Sequence, residues 1–354
     1  MIPQYEPYIK SEYADAVLKQ INTGWIGSGK TVKRFEDMFA EYIDSKYAIS
    51  CSSGTAAIII ALKAIGIEYT DRIAVPDYSF IAPTNAVRFI GGIPIIIDIT
   101  ENSLSMNPKL LEDQISCLKA VIFVNHNGYV GDDLLQIRDI CNAHSIPFIE
   151  DAACALGQRY KNKHAGTFGD IGCFSFSVPK ILTTGQGGMI VTNDSYFATR
   201  CREVVDQGST TWRQDGYHKN IGANFKFNDI LAAYGISQLS ILEELLQKRK
   251  HVYDRYISNG IKLHTYSDML STWMNVITNI DAYGVQQKLY QDGIQSKMYY
   301  RSVHDCLGHT HNKLSVAEKV YETSLYLPSS LGLPDADIDF VCEKVNSIIG
   351  QYDE

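Results

Sequence analysis

The sequence predicts an α/β protein: a parallel sheet covered by helices on both faces, followed by a smaller α/β domain. Three observations carry this expectation. From Tyr47 onward short apolar runs alternate with segments of helical periodicity, and the runs are apolar almost throughout rather than at every second residue. Near Leu245 the pattern shifts. With 354 residues, 45% of them hydrophobic and 20% charged, the chain is long enough for one large domain and one smaller one.

The elements follow in order. SEYADAVLKQINT puts Ala14, Val17, Leu18 and Ile21 on one helical stripe, and VKRFEDMFAEYI reads as a second amphipathic helix. Between them GWIGSGKT, Gly24 to Thr31, fits the phosphate-loop pattern G-x-x-x-x-G-K-[ST] letter for letter. That loop needs a buried strand entering its glycines and a helix leaving them. Here the glycines join helix to helix, so a chance match is the better reading and nucleotide hydrolysis the poorer one.

YAISCSSG is a strand that runs at once into the helix TAAIIIALKAIG. RIAVPDYSF, IPIIIDI, AVIFVNHNG and IPFIEDAA are further strands, with helical DDLLQIRDICNAH among them, and GCFSFS and GGMIVTND close the region. The expected division is 1–245 for the large domain with its N-terminal helical segment, and 246–354 for the small one. The long helix LSILEELLQKRKHVYDRYI spans that boundary, and DADIDFVCEKVNSII is the last element.

A net charge of −8 speaks against a nucleic-acid partner. No apolar run is long enough to cross a bilayer, and MIPQYEPYIKSEY lacks the order of a signal peptide, so the expected location is the cytoplasm, away from membranes. Eight cysteines without a C-x-x-C pair read as reduced thiols, several buried, such as Cys173 and Cys342. His304, His309 and His311 in VHDCLGHTHNK read as solvated histidines, and no metal is expected.

In a parallel sheet ligands bind beyond the carboxyl ends of the strands. Three segments there stand out. SSGTAA, Ser52 to Ala57, is either a tight turn or a helix N-terminus that cradles a phosphate. Glu150 and Asp151 end a buried strand, where alternation sends only one of them to a given site. A carboxylate there needs a cation, and it serves either as an N-cap or as the partner of a protonated ring nitrogen. Lys180 follows the apolar strand of FSFSVPKILTTGQGG; it either reaches solvent or serves as a nucleophile toward carbonyls. Phosphate cradle, acid and amine together are what pyridoxal phosphate requires.

The run EDAACALGQRYKNKHAGTFGDIGCFSFSVPKILTTGQGGMIVTND resembles the signature of the DegT/DnrJ/EryC1/StrS family of sugar aminotransferases. TGWIGSGKTVKRFE, SSGTAA, VPDYSFIAPTNAV, GANFKFNDILAA and LYLPSSLGL extend the resemblance over nearly the whole chain. It implies the fold type I architecture of aspartate aminotransferase, with a mostly parallel mixed sheet, and a homodimer. It also implies transfer of an amino group from L-glutamate to a keto sugar, usually nucleotide-linked, with pyridoxal phosphate as cofactor and pyridoxamine phosphate as its intermediate form.

The resemblance assigns residues one by one. Lys180 matches the Schiff-base lysine and Asp151 the acid at the pyridine nitrogen. Thr55 and Ala56 match the phosphate cradle, with Gly54 permitting close approach, and Ser175 matches a hydroxyl on the same phosphate. Phe80 matches a ring over the pyridine face, or else packs in the core. Asn224 matches an asparagine reaching the phosphate from the other subunit. Cys154 stands where the family most often has Gln or His near the ring hydroxyl. GWIGSG, with Trp25, falls near the family's active site; Lys297 stands where arginine is frequent, and His304 matches a histidine near the sugar. FVNHNGYVGDD departs from the commoner histidine-x-tyrosine-glycine pattern, which leaves room for an unusual carbonyl acceptor. The deoxygenating branch of the family replaces its lysine with histidine, so Lys180 disfavours a dehydratase. A cofactor-binding regulatory protein is the reading from another class.

Overall fold

A computed structural model describes residues 1–267, 269–308 and 315–350. Helices α1 (Ser11–Asn22) and α2 (Lys30–Ile43) precede strand β1 (Tyr47–Cys51). Then come α3 (Gly54–Ala64), β2 (Arg72–Pro76), α4 (Ala82–Phe89), β3 (Ile93–Ile97) and α5 (Pro108–Glu112). β4 (Ala120–Val124), α6 (Asp132–Ala143) and β5 (Phe148–Asp151) follow, with a small hairpin of β6 (Arg159–Tyr160) and β7 (Lys163–His164). β8 (Ile171–Ser175) and β9 (Gly188–Thr192) complete the main sheet.

That sheet has seven strands in the order β1-β9-β8-β5-β4-β2-β3. β3, β2, β4, β5 and β8 are mutually parallel, while β9 runs antiparallel to both β8 and β1. The sheet is thus mixed but mostly parallel, as the resemblance implies. Its strands are buried on both faces, hence their continuous apolar runs. Along β2, Ile73 and Val75 enter one core and Ala74 the other; along β5, Phe148 and Ile149 divide likewise.

Beyond the sheet lie α7 (Ser195–Val205), α8 (Trp212–Asp215), α9 (Asp229–Leu239) and α10 (Leu242–Ser258). The last part holds β10 (Val276–Ile277), α11 (Ala282–Gln291), α12 (Val303–Cys306), α13 (Val316–Thr323), β11 (Leu325–Tyr326) and α14 (Asp335–Gly350). Here β10 pairs with β11, and α10, α11 and α14 enclose a separate apolar cluster around Val252, Val285 and Val341. α10 serves both cores: Leu242 and Leu245 pack with the sheet, Val252 and Tyr256 with the second cluster. The two lobes therefore share one helix, and the change of core falls within it.

Among the described residues no helix is long and apolar enough to cross a membrane. All eight cysteines are free; Cys173 and Cys342 are buried, whereas Cys117 and Cys306 are exposed.

Candidate active site

The carboxyl ends of the strands open onto a cavity of about 300 Å³. One side is the turn from β1 into α3. Ser53 is extended, and its hydroxyl accepts the N–H of Ala56 at 3.0 Å, which starts the helix. Gly54 and Thr55 line the cavity, and N–H groups in a first helical turn have no acceptor within the helix. A β-carbon on Gly54 would stand 2.7 Å from Cβ of Ser175, so glycine is what lets α3 approach the end of β8 so closely. Ser175 and Ser177 bring hydroxyls to the same cavity. Free N–H groups, a helix N-terminus and hydroxyls together suit a phosphate. Ala56, expected in that cradle, has given its N–H to the Ser53 cap.

β5 supplies the acid. Glu150 is fully buried and outside the cavity lining; it accepts from Asn125 Nδ2 at 2.7 Å and from the N–H groups of Gly166 at 2.7 Å and Phe168 at 2.8 Å. The sequence reading asks for a cation at such a carboxylate. Neutral donors suffice instead, because two carboxylate oxygens accept several hydrogen bonds. Asp151 does line the cavity, and one of its oxygens accepts the Ala153 N–H at 3.0 Å. Burial pushes its pKa up to about 6, against the pull of that N–H and of the Lys180 charge.

Lys180 lies past the end of β8, half-buried, with Nζ 3.0 Å from Cys154 Sγ and 5.2 Å from the centre of the Trp273 ring. Lys180 lines the cavity, the position that the nucleophile reading needs. Burial pushes the Cys154 thiol up, and the Lys180 charge opposes it. Phe80 also lines the cavity and is 59% exposed, which removes core packing as its role. Its ring lies 5.8 Å from that of Tyr300.

Among the lining residues that the sequence reading did not single out are His126, Asn127, Trp273 and Tyr300. Trp273 and Tyr300 stack at 5.9 Å and 7°, forming a wall contributed by the second lobe. Asn127 fastens that wall to the end of β4 by donating from Nδ2 to the carbonyl of Met274 at 3.0 Å. His126 Nε2 is 2.8 Å from the Tyr326 hydroxyl, and burial holds its pKa down to about 3, so its imidazole is neutral. His126 and Asn127 stand directly after a strand and were findable by that rule. Trp273 and Tyr300 carry no local signal.

Trp25, Asn224, Lys297 and His304 do not line this cavity. Trp25 is exposed and its indole lies against Gly29. Asn224 is exposed, bridged to Asp206, and Lys297 is exposed and bridged to Tyr326. His304 is not the solvated loop residue that its polar surroundings suggest. It sits on α12 with Nδ1 3.0 Å from the buried Asp77 carboxylate, which raises its pKa and also accepts the His304 N–H. His309 and His311 lie outside the described residues.

The GWIGSGKT stretch joins α1 to α2, as its neighbours imply. Its helix N-terminus already holds an anion. The Asp229 carboxylate accepts from Gly29 N–H at 2.9 Å and Val32 N–H at 2.8 Å, with Thr31 N–H at 3.4 Å.

The profile of the DegT/DnrJ/EryC1/StrS aminotransferase family matches residues 7–346. The chain belongs to this family. It is a pyridoxal-phosphate-dependent sugar aminotransferase, and the cavity described above brings together a helix N-terminus, an acid and an amine, groups that suit that cofactor. The GDP-perosamine synthase of Escherichia coli O157:H7 is 32% identical over 98% of both chains. That of Caulobacter vibrioides is 32% identical over 97% of both. Among solved structures, the aminotransferase TlmJ from Streptoalloteichus hindustanus superposes with a TM-score of 0.93 at 26% identity, covering 99% of this chain and 100% of its own.

Proposed function

We propose that this aminotransferase moves the amino group of L-glutamate onto a keto sugar carried by a nucleoside diphosphate, by a ping-pong mechanism in the cytoplasm. The observation that carries the reading is the meeting of Gly54, Thr55, Ser175, Asp151 and Lys180 in one cavity. The GDP-linked product in the names of its relatives favours a sugar nucleotide as acceptor.

When bound, pyridoxal phosphate supplies an electron-accepting ring that stabilises negative charge at the carbon losing its proton. The chain's residues position that chemistry. Gly54 and Thr55 N–H groups and the Ser175 hydroxyl would hold the phosphate. Asp151, ionised above pH 6, would keep a proton on the ring nitrogen. The Lys180 amine would attach the cofactor, then take and return the proton at the substrate carbon once the donor amine has displaced it. Phe80 and the Trp273–Tyr300 stack line the same cavity and would pack against the bound cofactor.

Two observations favour a homodimer with shared sites. Among the described residues lining the cavity, Lys180 is the one cation, too little for a dicarboxylate donor and a diphosphate. Leu18, Ile21, Trp25 and Ile26 are also left exposed together along α1 and the following turn. In such a dimer Asn224 and Trp25 would serve the neighbouring cavity, and Lys297 and His304 would contact the sugar.

The test is the visible spectrum with pyridoxal phosphate, before and after L-glutamate, in the wild type and in Lys180→Ala. A band that needs Lys180 and is bleached by glutamate is expected, with turnover in the variant down at least about 10³-fold. A band indifferent to the substitution removes Lys180 from its role, and a band indifferent to glutamate removes the donor.

A further inference from the structure

The 3.0 Å contact between Lys180 Nζ and Cys154 Sγ places an amine against a thiol inside an open cavity. Cys154 is only partly buried, whereas Cys51, Cys141, Cys173, Cys201 and Cys342 are buried, so a small oxidant entering the cavity reaches Cys154 before any of those. Cys154 has no disulfide partner, and among the described residues the one hydrogen-bond contact of its sulfur is Lys180. An oxidised Cys154 sulfur therefore has an amine, not a thiol, as its neighbouring nucleophile. The ring of Trp273 beneath Lys180 and the packing of Cys154 against the same aromatic cluster hold the pair together.

We propose that Cys154 and Lys180 form a site of reversible oxidative crosslinking, in which a peroxide turns the thiol into a sulfenic acid and the lysine amine converts that acid into a sulfenamide. The proposal rests on the preceding section for one point alone, that Lys180 is the amine that carries the cofactor. In the first step sulfur attacks one peroxide oxygen and the O–O bond breaks. Sulfur loses two electrons, the peroxide gains them, and the thiol proton leaves with the second oxygen as water. In the second step the amine nitrogen attacks sulfur and the S–O bond breaks; the departing hydroxide takes a proton from nitrogen and leaves as water, with no further change in oxidation level. A small thiol reverses the bond. One molecule attacks sulfur and frees the amine, and a second attacks the resulting mixed disulfide and restores Cys154.

The state of Lys180 gates this chemistry. A lysine bonded to its cofactor has no free amine to offer, so the crosslink belongs to protein that lacks the cofactor or has released the lysine after accepting an amino group. Once formed, the bond keeps the cofactor from re-attaching until a thiol breaks it. The pair then acts as a lock on unloaded enzyme under oxidising conditions.

The experiment treats the purified enzyme with hydrogen peroxide, as isolated and after L-glutamate, and follows intact mass and a peptide map. The expected product is lighter than the starting protein by two hydrogens, joins the Cys154 and Lys180 peptides, and disappears on adding dithiothreitol. Cys154→Ser does not form it. Pyridoxal phosphate at about ten times its dissociation constant lowers its yield about tenfold, because it takes the same amine. Sulfinic or sulfonic acid at Cys154 beside an unmodified Lys180, or the same crosslink in Cys154→Ser, overturns the proposal. A crosslink that excess pyridoxal phosphate does not suppress supports the sulfur chemistry and overturns the assignment of Lys180 to the cofactor. A Lys180-dependent visible band with no crosslink overturns the crosslink and leaves the proposed function standing.

Discussion

The first turn of α2, entered through GWIGSGKT, and the first turn of α3, entered through SSGTAA, are built alike, with small residues leading into a helix whose first N–H groups need acceptors. At α2 the acceptor is internal: the Asp229 carboxylate, itself buried, takes the N–H groups of Gly29 and Val32, and the Asp229 N–H is bonded to the Gly27 carbonyl at 2.9 Å. At α3 only the Ala56 N–H is capped from within, by Ser53, and Gly54 and Thr55 face the cavity. A helix N-terminus becomes a ligand site when the chain leaves its donors unclaimed. The two acids of β5 differ in the same way. Glu150 is saturated by neighbouring N–H groups, whereas Asp151 has one such partner and a cavity before it.

The strongest test of the contrast is Asp229→Ala. Stranding buried donors at α2 is expected to lower unfolding free energy by about 3 kcal/mol while leaving pyridoxal phosphate affinity unchanged. Urea titration and a cofactor titration read the two; lost affinity at unchanged stability would reverse the roles assigned to the two helices. Gly54→Val is the converse. Its side chain meets Ser175, so cofactor affinity is expected to fall about 10- to 100-fold, or about 1.4–2.8 kcal/mol. Unchanged affinity in a folded variant would remove α3 as the phosphate cradle.

Asp151→Asn sharpens the comparison of the two acids. Because burial raises the Asp151 pKa from 3.8 to about 6, its ionised form destabilises the unloaded fold above pH 6. Asparagine is therefore expected to stabilise unloaded protein by about 2 kcal/mol at pH 8. That gain shrinks as pH falls from 6 toward 4, where the wild type takes up its proton. Thermal melts across pH test this, and cofactor affinity should fall in the same variant. A destabilised variant at pH 8 would show that Asp151, like Glu150, is a structural acid.

The smallest effect is expected at His304. Its pKa is raised by the Asp77 carboxylate, so its contribution is complete below the ordinary value of 6.5 and is lost as pH rises through the raised one. Hydrogen exchange at α12 should quicken across that range by a factor equivalent to about 1 kcal/mol or less. The same change in His304→Gln would assign it to another group.

Much of this was legible in the chain. Continuous apolar strands, Lys180 in a polar turn after one of them, and the strand-to-helix change at Ser52 are local patterns, and local patterns survive in one dimension. The P-loop look-alike was rejected on the same grounds, from the helix that precedes it. Other features were not legible. β9 runs against its neighbours although it is as fully buried as the parallel strands, so its continuous apolar run gave no sign of its direction. Phe80 had two readings until its exposure was seen. His304 looked solvated because Asp77 lies more than two hundred residues away along the chain.

The sequence by itself determined which residue types stand at the strand ends, and so the cofactor chemistry the protein supports. That followed because a buried sheet imposes continuous apolar runs, and a polar group placed directly after one is chemically conspicuous. The tertiary structure alone decided which of two adjacent acids faces the cavity, which helix N-terminus remains open, and which thiol lies against Lys180. It also brought Trp273 and Tyr300 across from the second lobe. Those outcomes depend on which donors are claimed by partners distant in the chain, and hydrogen-bond pairing across such separations leaves no trace in local pattern.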